Sequence, residues 1–178
     1  MTVPMSLIPT FEEGSLRYRA PRMDDFEDYH QFCASQRAAG VGGPYPHRAD
    51  AFNRLAGLIG HWQLRGYGRW MVADRETDAP LGVVGLMFPE DWPEPEIAWS
   101  VFAAAEGRGI AFEAARFARR YAYDTLGWST VISCIKPENT RSVALARRMG
   151  ATYESDYDHP VIGTIQIWRH PSPSEVDE

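Results

Sequence analysis

The sequence predicts an α/β domain, because two consecutive strand–turn–helix units can be read from it. In the first unit, a mostly apolar run at residues 96–102 precedes a glycine-containing turn at residues 106–109. Residues 112–123 then place apolar side chains at helical spacing, with arginines on the opposite face. In the second unit, the β-branched run at residues 130–135 predicts a buried strand, and Asn139 starts the next helix.

The other elements follow from the same patterns, and 178 residues suit one domain with a sizeable core. Further strands are predicted at residues 16–19, 69–73, 81–88, 152–155 and 163–168. Further helices are predicted after residues 20–25, running to about residue 36, and at residues 49–65. The second of these helices is expected to bury Phe52, Leu55, Ile59 and Trp62. We expect a loose N-terminal arm (1–14), a domain (15–171) and a flexible tail (172–178).

Composition restricts the class of partner. The net charge is −6, the isoelectric point is near 5.4 and no basic patch is present, so nucleic acid is not an expected partner. Cys33 and Cys134 are expected to be free buried thiols, and no metal is expected. Without a leader-like segment or an apolar run of about 18 residues, we expect no membrane partner and a cytoplasmic protein.

The turn at residues 106–109 is the strongest candidate for a binding site. Gly107 and Gly109 allow the backbone to approach a ligand closely, and the first turn of the following helix presents unpaired amides at the positive end of its dipole. These features favour phosphate, and Arg108 adds positive charge. The pattern is neither a P-loop nor GxGxxG, and an ordinary turn before a helix remains the alternative.

Four segments together resemble the GNAT superfamily of acetyl-CoA-dependent N-acetyltransferases. They are GRGIAFEA (107–114), LGW (126–128), PENTRSVALARRMGA (137–151) and IWRHP (167–171). Within the superfamily the chain looks most like the ribosomal-protein N-terminal acetyltransferase (Rim-type) branch. The resemblance implies one GNAT-like domain with a central mixed, mostly antiparallel sheet of about six or seven strands, splayed in the middle and flanked by about four helices.

The resemblance also implies acetyl-CoA as cosubstrate, and residues that would hold it. Val101 and Phe102 would lie along pantetheine, and Asn139 would hydrogen-bond the pantetheine arm. The pyrophosphate would lie against the main-chain amides of Gly107, Arg108, Gly109, Ile110 and Ala111. Two positions depart from the family: Glu106 places a carboxylate beside phosphate, and Ala146 stands where many members have the tyrosine that protonates the leaving thiolate.

Two residues are candidates for the chemistry. Glu96, at the start of the strand before the glycine turn, is the candidate base, since apolar neighbours and nearby Glu94 would raise its pKa. An exposed carboxylate at a strand end is the alternative. Ser142 is the candidate replacement for the missing tyrosine, and a solvent-facing or helix-capping hydroxyl is the alternative.

The acceptor site is expected near the acidic, proline-rich loop at residues 89–95. Trp92 and Tyr45 are candidate pocket walls, and Glu94 contributes to a negative mouth that suits a cationic amine. Aromatic residues are often core, however, and charged loops are often only solvated.

These residues predict an enzyme that moves an acetyl group to a primary amine, either of a small molecule or of a protein N-terminus. A non-catalytic acetyl-CoA-binding module of the same fold is the alternative, supported by Glu106 and the missing tyrosine. The resemblance leaves a homodimer open as the assembly.

Overall fold

The structure, a computed structural model, describes residues 8–176, and its elements follow the predicted order. The strands are β1 (Phe11–Glu13), β2 (Leu16–Arg19), β3 (Arg69–Asp74), β4 (Pro80–Met87), β5 (Glu96–Val101), β6 (Ile132–Ile135), β7 (Thr152–His159) and β8 (Gly163–Arg169). The helices are α1 (Phe26–Ala34), α2 (Arg48–Arg65), α3 (Ile110–Arg120) and α4 (Thr140–Arg148). Short 3₁₀ segments are formed by Met23–Asp25, Gln36–Val41 and Ala103–Ala105, and Tyr121–Thr125 form a π-helical turn after α3.

The strands form one eight-stranded sheet in the order β1-β2-β3-β4-β5-β6-β8-β7. The pairs β1–β2, β2–β3, β6–β8 and β8–β7 are antiparallel, whereas β5 and β6 run parallel and pair at Glu96 and Ile132. The predicted mixed, mostly antiparallel sheet is therefore confirmed.

A strand forms in the predicted N-terminal arm, and a hydrogen-bonded turn forms in the predicted tail. Part of the predicted loose arm forms β1, which pairs with β2 in register, so that the sheet has more strands than expected. In the predicted flexible tail, Ser172 donates from its amide and from its hydroxyl to the Glu175 carboxylate. The rest of both segments, residues 1–7 and 177–178, lies outside the described residues.

Within residues 8–176 the chain divides into two compact units, of which the first contains residues 8–84 and 99–110. Its core is an aromatic and aliphatic cluster in which Phe102 packs against Phe32 and Tyr29, with ring centroids 5.5 and 6.3 Å apart. The predicted inner face of α2 is partly wrong. The helix buries Ala51, Leu55, Leu58 and Trp62, while Phe52 is 48% and Ile59 36% exposed.

The second unit contains residues 85–98 and 111–176. The buried faces of α3 and α4 include small residues, since Ala114, Ala115, Ala118 and Ala146 are completely buried. Buried Arg119 on α3 donates to the carbonyl of Met149 at 2.7 Å, which ties α3 to the end of α4.

Candidate active site

The glycine turn lies between the 3₁₀ segment Ala103–Ala105 and the start of α3 at Ile110. Gly107 and Gly109 have φ angles of +75° and +77°, a region that other residues rarely adopt, and a Cβ added at either would meet no atom within 4 Å. Residues 106–109 are exposed. The glycines are therefore required by backbone conformation, and the turn leaves open space in front of its main chain.

Arg37, from the distant 3₁₀ segment Gln36–Val41, stabilises the chain that leads into this turn. Its Nε donates to the carbonyl of Val101 at 3.2 Å, and its Nη1 forms an ion pair with the carboxylate of Glu106. The negative charge that Glu106 brings to the turn is therefore balanced. Arg37 could not be identified from the sequence, because nothing local to residue 37 points to a partner 69 residues away.

The main chain at Val101 and Phe102 already has protein partners. The Phe102 amide donates to the carbonyl of Leu81 at 2.9 Å, and the Val101 carbonyl is the one bonded to Arg37. Strands β4 and β5 approach very closely here, since a Cβ on Gly82 would lie 2.5 Å from the carbonyl oxygen of Ser100.

In the glycine turn itself, the side chain of Arg108 is half exposed, and its Nη2 lies 3.9 Å from the carboxylate of Asp74.

Glu96 is 4% exposed, so the expected alternative of an exposed carboxylate at a strand end is wrong. Its Oε2 accepts the main-chain amide of Cys134 on β6 at 2.7 Å. The pKa of the Cys134 thiol is raised, mainly by burial and to a smaller extent by the negative charges of Glu96 and Glu94. Burial and the hydrogen bond from the Cys134 amide hold this carboxylate in place, which is compatible with the predicted role of a general base.

Glu94 and Trp92, predicted as acceptor contacts, both have partners in the second unit. The Glu94 carboxylate accepts two hydrogen bonds from Arg169 at 2.7 and 2.8 Å, and Arg169 also pairs with Glu154. The hydrogen bonds to Glu94 and Glu154 raise the pKa of Arg169. Trp92 meets the ring of His159 edge to face, with centroids 5.1 Å apart. Glu94 is therefore one half of an ion pair and not a free carboxylate.

Tyr45 lies in the first unit, partly buried against the aromatic core. Its hydroxyl donates to the carbonyl of Val41 at 3.1 Å, and the guanidinium of Arg54 lies 4.0 Å from the ring centroid. These contacts fix the orientation of the Tyr45 ring, which is compatible both with a pocket wall and with a core residue.

Asn139 is the N-cap of α4, and its Oδ1 accepts the amide of Ser142 at 3.2 Å. The capping group is therefore Asn139, and Ser142 takes part through its main chain. The Ser142 side chain is half-buried, and Ala146, where a tyrosine would be expected, is completely buried in the helix packing.

The comparison with protein families decides the identity of this fold. Residues 15–152 match the model of the acetyltransferase (GNAT) domain. The chain belongs to the GNAT acetyltransferase family. Family membership shows an acetyltransferase and implies acetyl-CoA as its cosubstrate.

Solved structures agree with this membership. An acetyltransferase from Agrobacterium tumefaciens str. C58 is 32% identical, with a TM-score of 0.83 over 96% of this chain and 98% of that chain. A GNAT-family acetyltransferase from Bacillus anthracis is 18% identical, with a TM-score of 0.77 over 94% of this chain and 100% of that chain. A ribosomal-protein-S5-alanine acetyltransferase from Vibrio fischeri is 13% identical, with a TM-score of 0.68 over 95% of this chain and 100% of that chain. The last two share the fold, and the branch stays a prediction.

The glycine turn of this GNAT domain fits a phosphate group. Open space lies in front of two glycines with positive φ, Arg108 is nearby, and the one carboxylate in the turn is balanced by Arg37. Among residues 8–176 no group of three or more histidine, cysteine or acidic side chains is arranged to hold a metal ion. No helix in the described part of the chain is long and apolar enough to cross a membrane.

Proposed function

We propose that this GNAT protein transfers the acetyl group of acetyl-CoA to the nitrogen of a primary amine, on a small molecule or on a protein N-terminus. The observation that carries the proposal is the buried Glu96, whose carboxylate accepts the Cys134 amide, in a fold whose family transfers acetyl groups. Likeness to the ribosomal-protein branch favours a protein N-terminus.

The cosubstrate would be held by backbone and by few side chains. The amides of residues 107–111 would face its pyrophosphate, as the open glycine turn suggests, and the helix dipole of α3 would favour the negative charge. Val101, Phe102 and Asn139 would lie along the pantetheine arm. Because the Oδ1 of Asn139 caps α4, its amide nitrogen would be the group offered to the ligand.

Acetyl-CoA supplies an acetyl group already activated as a thioester. The amine nitrogen forms a bond to the carbonyl carbon, and the bond between that carbon and sulfur breaks. Glu96 accepts the proton lost from the amine, directly or through water. Ser142 would donate a hydrogen bond to the departing thiolate, a modest contribution because an aliphatic hydroxyl is a weak acid. Trp92, Tyr45 and Glu94 would border the acceptor, with Arg169 fixing Glu94.

The direct test measures release of free CoA thiol from acetyl-CoA with a panel of small amines and N-terminal peptides. We expect turnover with at least one acceptor, and acetyl-CoA should raise the melting temperature because it binds the folded state. Gly109→Glu should abolish that rise by placing a negative side chain in the turn. No rise with the wild type would contradict the proposal.

Glu96→Gln is the sharpest variant for the chemistry. Glutamine keeps an oxygen that can accept the Cys134 amide, so the change removes the base and leaves the local bond in place. We expect kcat to fall by roughly 10²–10⁴-fold, with little change in acetyl-CoA affinity. Glu76→Gln, at an exposed turn residue, is the matched control. A variant that keeps nearly full kcat would show that another group accepts the proton.

A further inference from the structure

In the parallel pair β5–β6, one expected backbone hydrogen bond, between the amide of Cys134 and the carbonyl of Ile97, is replaced by bonds to side chains. We call this position the opened rung. The amide of Ile132 points to the carbonyl of Pro95 at 3.4 Å, as a parallel ladder requires around the pair Glu96–Ile132. Two residues further along, a regular ladder would pair the amide of Cys134 with the carbonyl of Ile97. Here the Cys134 amide donates to Glu96, and the Ile97 carbonyl accepts from the hydroxyl of Ser133 at 2.8 Å.

Both backbone groups of the opened rung are thus satisfied by side chains. Ile97 and Ser133 are each 1% exposed, so the Ile97 carbonyl and the hydroxyl that satisfies it are both shielded from bulk water. An unpaired carbonyl in such a place would cost free energy comparable to a lost hydrogen bond. The sheet can stay open at this rung because residues 96 and 133 carry side chains that replace the missing bond.

His170, which follows β8, determines the direction of the Ser133 hydroxyl. Its Nε2 lies 2.9 Å from the Ser133 oxygen, and the imidazole is 2% exposed. Since the single hydroxyl proton goes to Ile97, Ser133 must accept from His170, which requires the tautomer with hydrogen on Nε2. The pKa of His170 is lowered to about 3, mainly by burial and to a smaller extent by the positive charges of Arg119 and Arg169. The ring is therefore neutral at working pH, and Nδ1 has no hydrogen-bond partner among residues 8–176.

We propose that Ser133, oriented by His170, is a positioning residue for acetyl transfer, because its bond to Ile97 leaves the Cys134 amide available to hold the Glu96 carboxylate. Without the hydroxyl, the Ile97 carbonyl needs a donor, and the amide of Cys134 is the donor that a regular ladder would supply. The rung would close, and Glu96 would lose its hydrogen bond from the Cys134 amide. The proposal rests on the role of Glu96 in the proposed function.

The test combines kinetics with NMR on the full chain. Ser133→Ala removes one oxygen atom and should lower kcat about fivefold, the order expected for one net hydrogen bond. The amide signal of Cys134 should shift, because its acceptor changes from a carboxylate to a carbonyl. Ser133→Thr keeps the hydroxyl and should restore both readouts. Ser155→Ala, at an exposed serine on β7, is the matched control.

The histidine is tested separately. In the wild type, the ¹⁵N shifts of the His170 ring should report hydrogen on Nε2. His170→Gln can still offer a side-chain N–H to Ser133, whereas His170→Leu cannot, so kcat and the Cys134 amide signal should change more in the leucine variant. This pair decides the question if Ser133→Ala does not fold.

The proposal is overturned if folded Ser133→Ala keeps the wild-type kcat and Cys134 signal, or if His170 carries its hydrogen on Nδ1. If the wild type releases no CoA with any amine while the NMR results are as expected, the proposed function fails and the opened rung stands. The two failures are therefore distinguishable.

Discussion

At the scale of single residues, the neighbours of Cys134 determine the pKa and the reactivity of its thiol. The thiol lies beside the buried Glu96 and near Glu94, and burial together with these two carboxylates raises its pKa. Burial also raises the pKa of Cys33, in the core of the first unit. A thiol is nucleophilic as the thiolate, so we expect both groups to react slowly in the folded protein.

Alkylation checks this expectation. At pH 8, we expect Cys33 and Cys134 to react with iodoacetamide at least about tenfold more slowly in the native protein than in urea, because a raised pKa keeps each thiol protonated. Burial also blocks access to Cys33, whereas Cys134 is half-buried. Peptide mass spectrometry measures each site separately, and the unfolded protein is the internal control. Native Cys134 that is labelled as fast as in urea would contradict the environment described.

At the scale of elements, the glycine turn depends on a segment far away in the chain. The 3₁₀ segment Gln36–Val41 supplies Arg37, which bonds both the end of β5 and Glu106. A carboxylate beside a phosphate site would repel the ligand, and the guanidinium removes that repulsion. The turn and the 3₁₀ segment therefore act together as one electrostatic unit.

A double-mutant cycle tests this pairing. Arg37→Ala should weaken acetyl-CoA binding about three- to tenfold, because Glu106 is left unbalanced near the pyrophosphate. Adding Glu106→Gln should restore most of the affinity, and Glu106→Gln alone should bind at least as tightly as the wild type. Isothermal titration at low salt gives the four dissociation constants. A double variant as weak as Arg37→Ala would mean that the arginine acts in another way.

At the scale of the whole molecule, stability against acid depends on a charge network in the first unit. Arg19 is 6% exposed and donates to Asp25 at 2.7 and 2.8 Å, and its Nε donates to Asp78 at 2.9 Å. Burial alone would raise the pKa of Asp78, but hydrogen bonds from Arg19, Arg22 and Arg17 outweigh it and lower the pKa to about 2. The network joins β2 to the turn between β3 and β4.

The sign of the pH dependence follows from that shift. The folded pKa of about 2 lies below the ordinary value of 3.8, so the stabilisation is present above about pH 4 and is lost as the pH falls towards 2. Asp78→Asn should be less stable near pH 6 and should lose less stability than the wild type between pH 4 and pH 2. Urea midpoints measure this, with exposed Asp124→Asn as the control. Parallel curves for wild type and Asp78→Asn would contradict the argument.

Local features of this chain could be predicted from the sequence because their causes lie within a few residues. The positive φ angles at Gly107 and Gly109, the start of α4 at Asn139 and the order of strands and helices all belong to this class. The inner face of α2 was predicted only partly correctly, because helical spacing permits neighbouring stripes and the packing partner selects between them. Leu58 is buried and Phe52 is half exposed for that reason.

The sequence by itself determined the alternation of strand and helix, the glycine turn and, through their order, the family. Only the tertiary structure decided what the charged and polar groups do, because hydrogen bonds and ion pairs depend on which distant segments meet. Arg37 reaches Glu106 across 69 residues, Glu94 meets Arg169 across 75, and Glu96 holds the amide of Cys134 across 38. Each of these pairs is set by the packing of the chain, and no periodicity in the sequence encodes it.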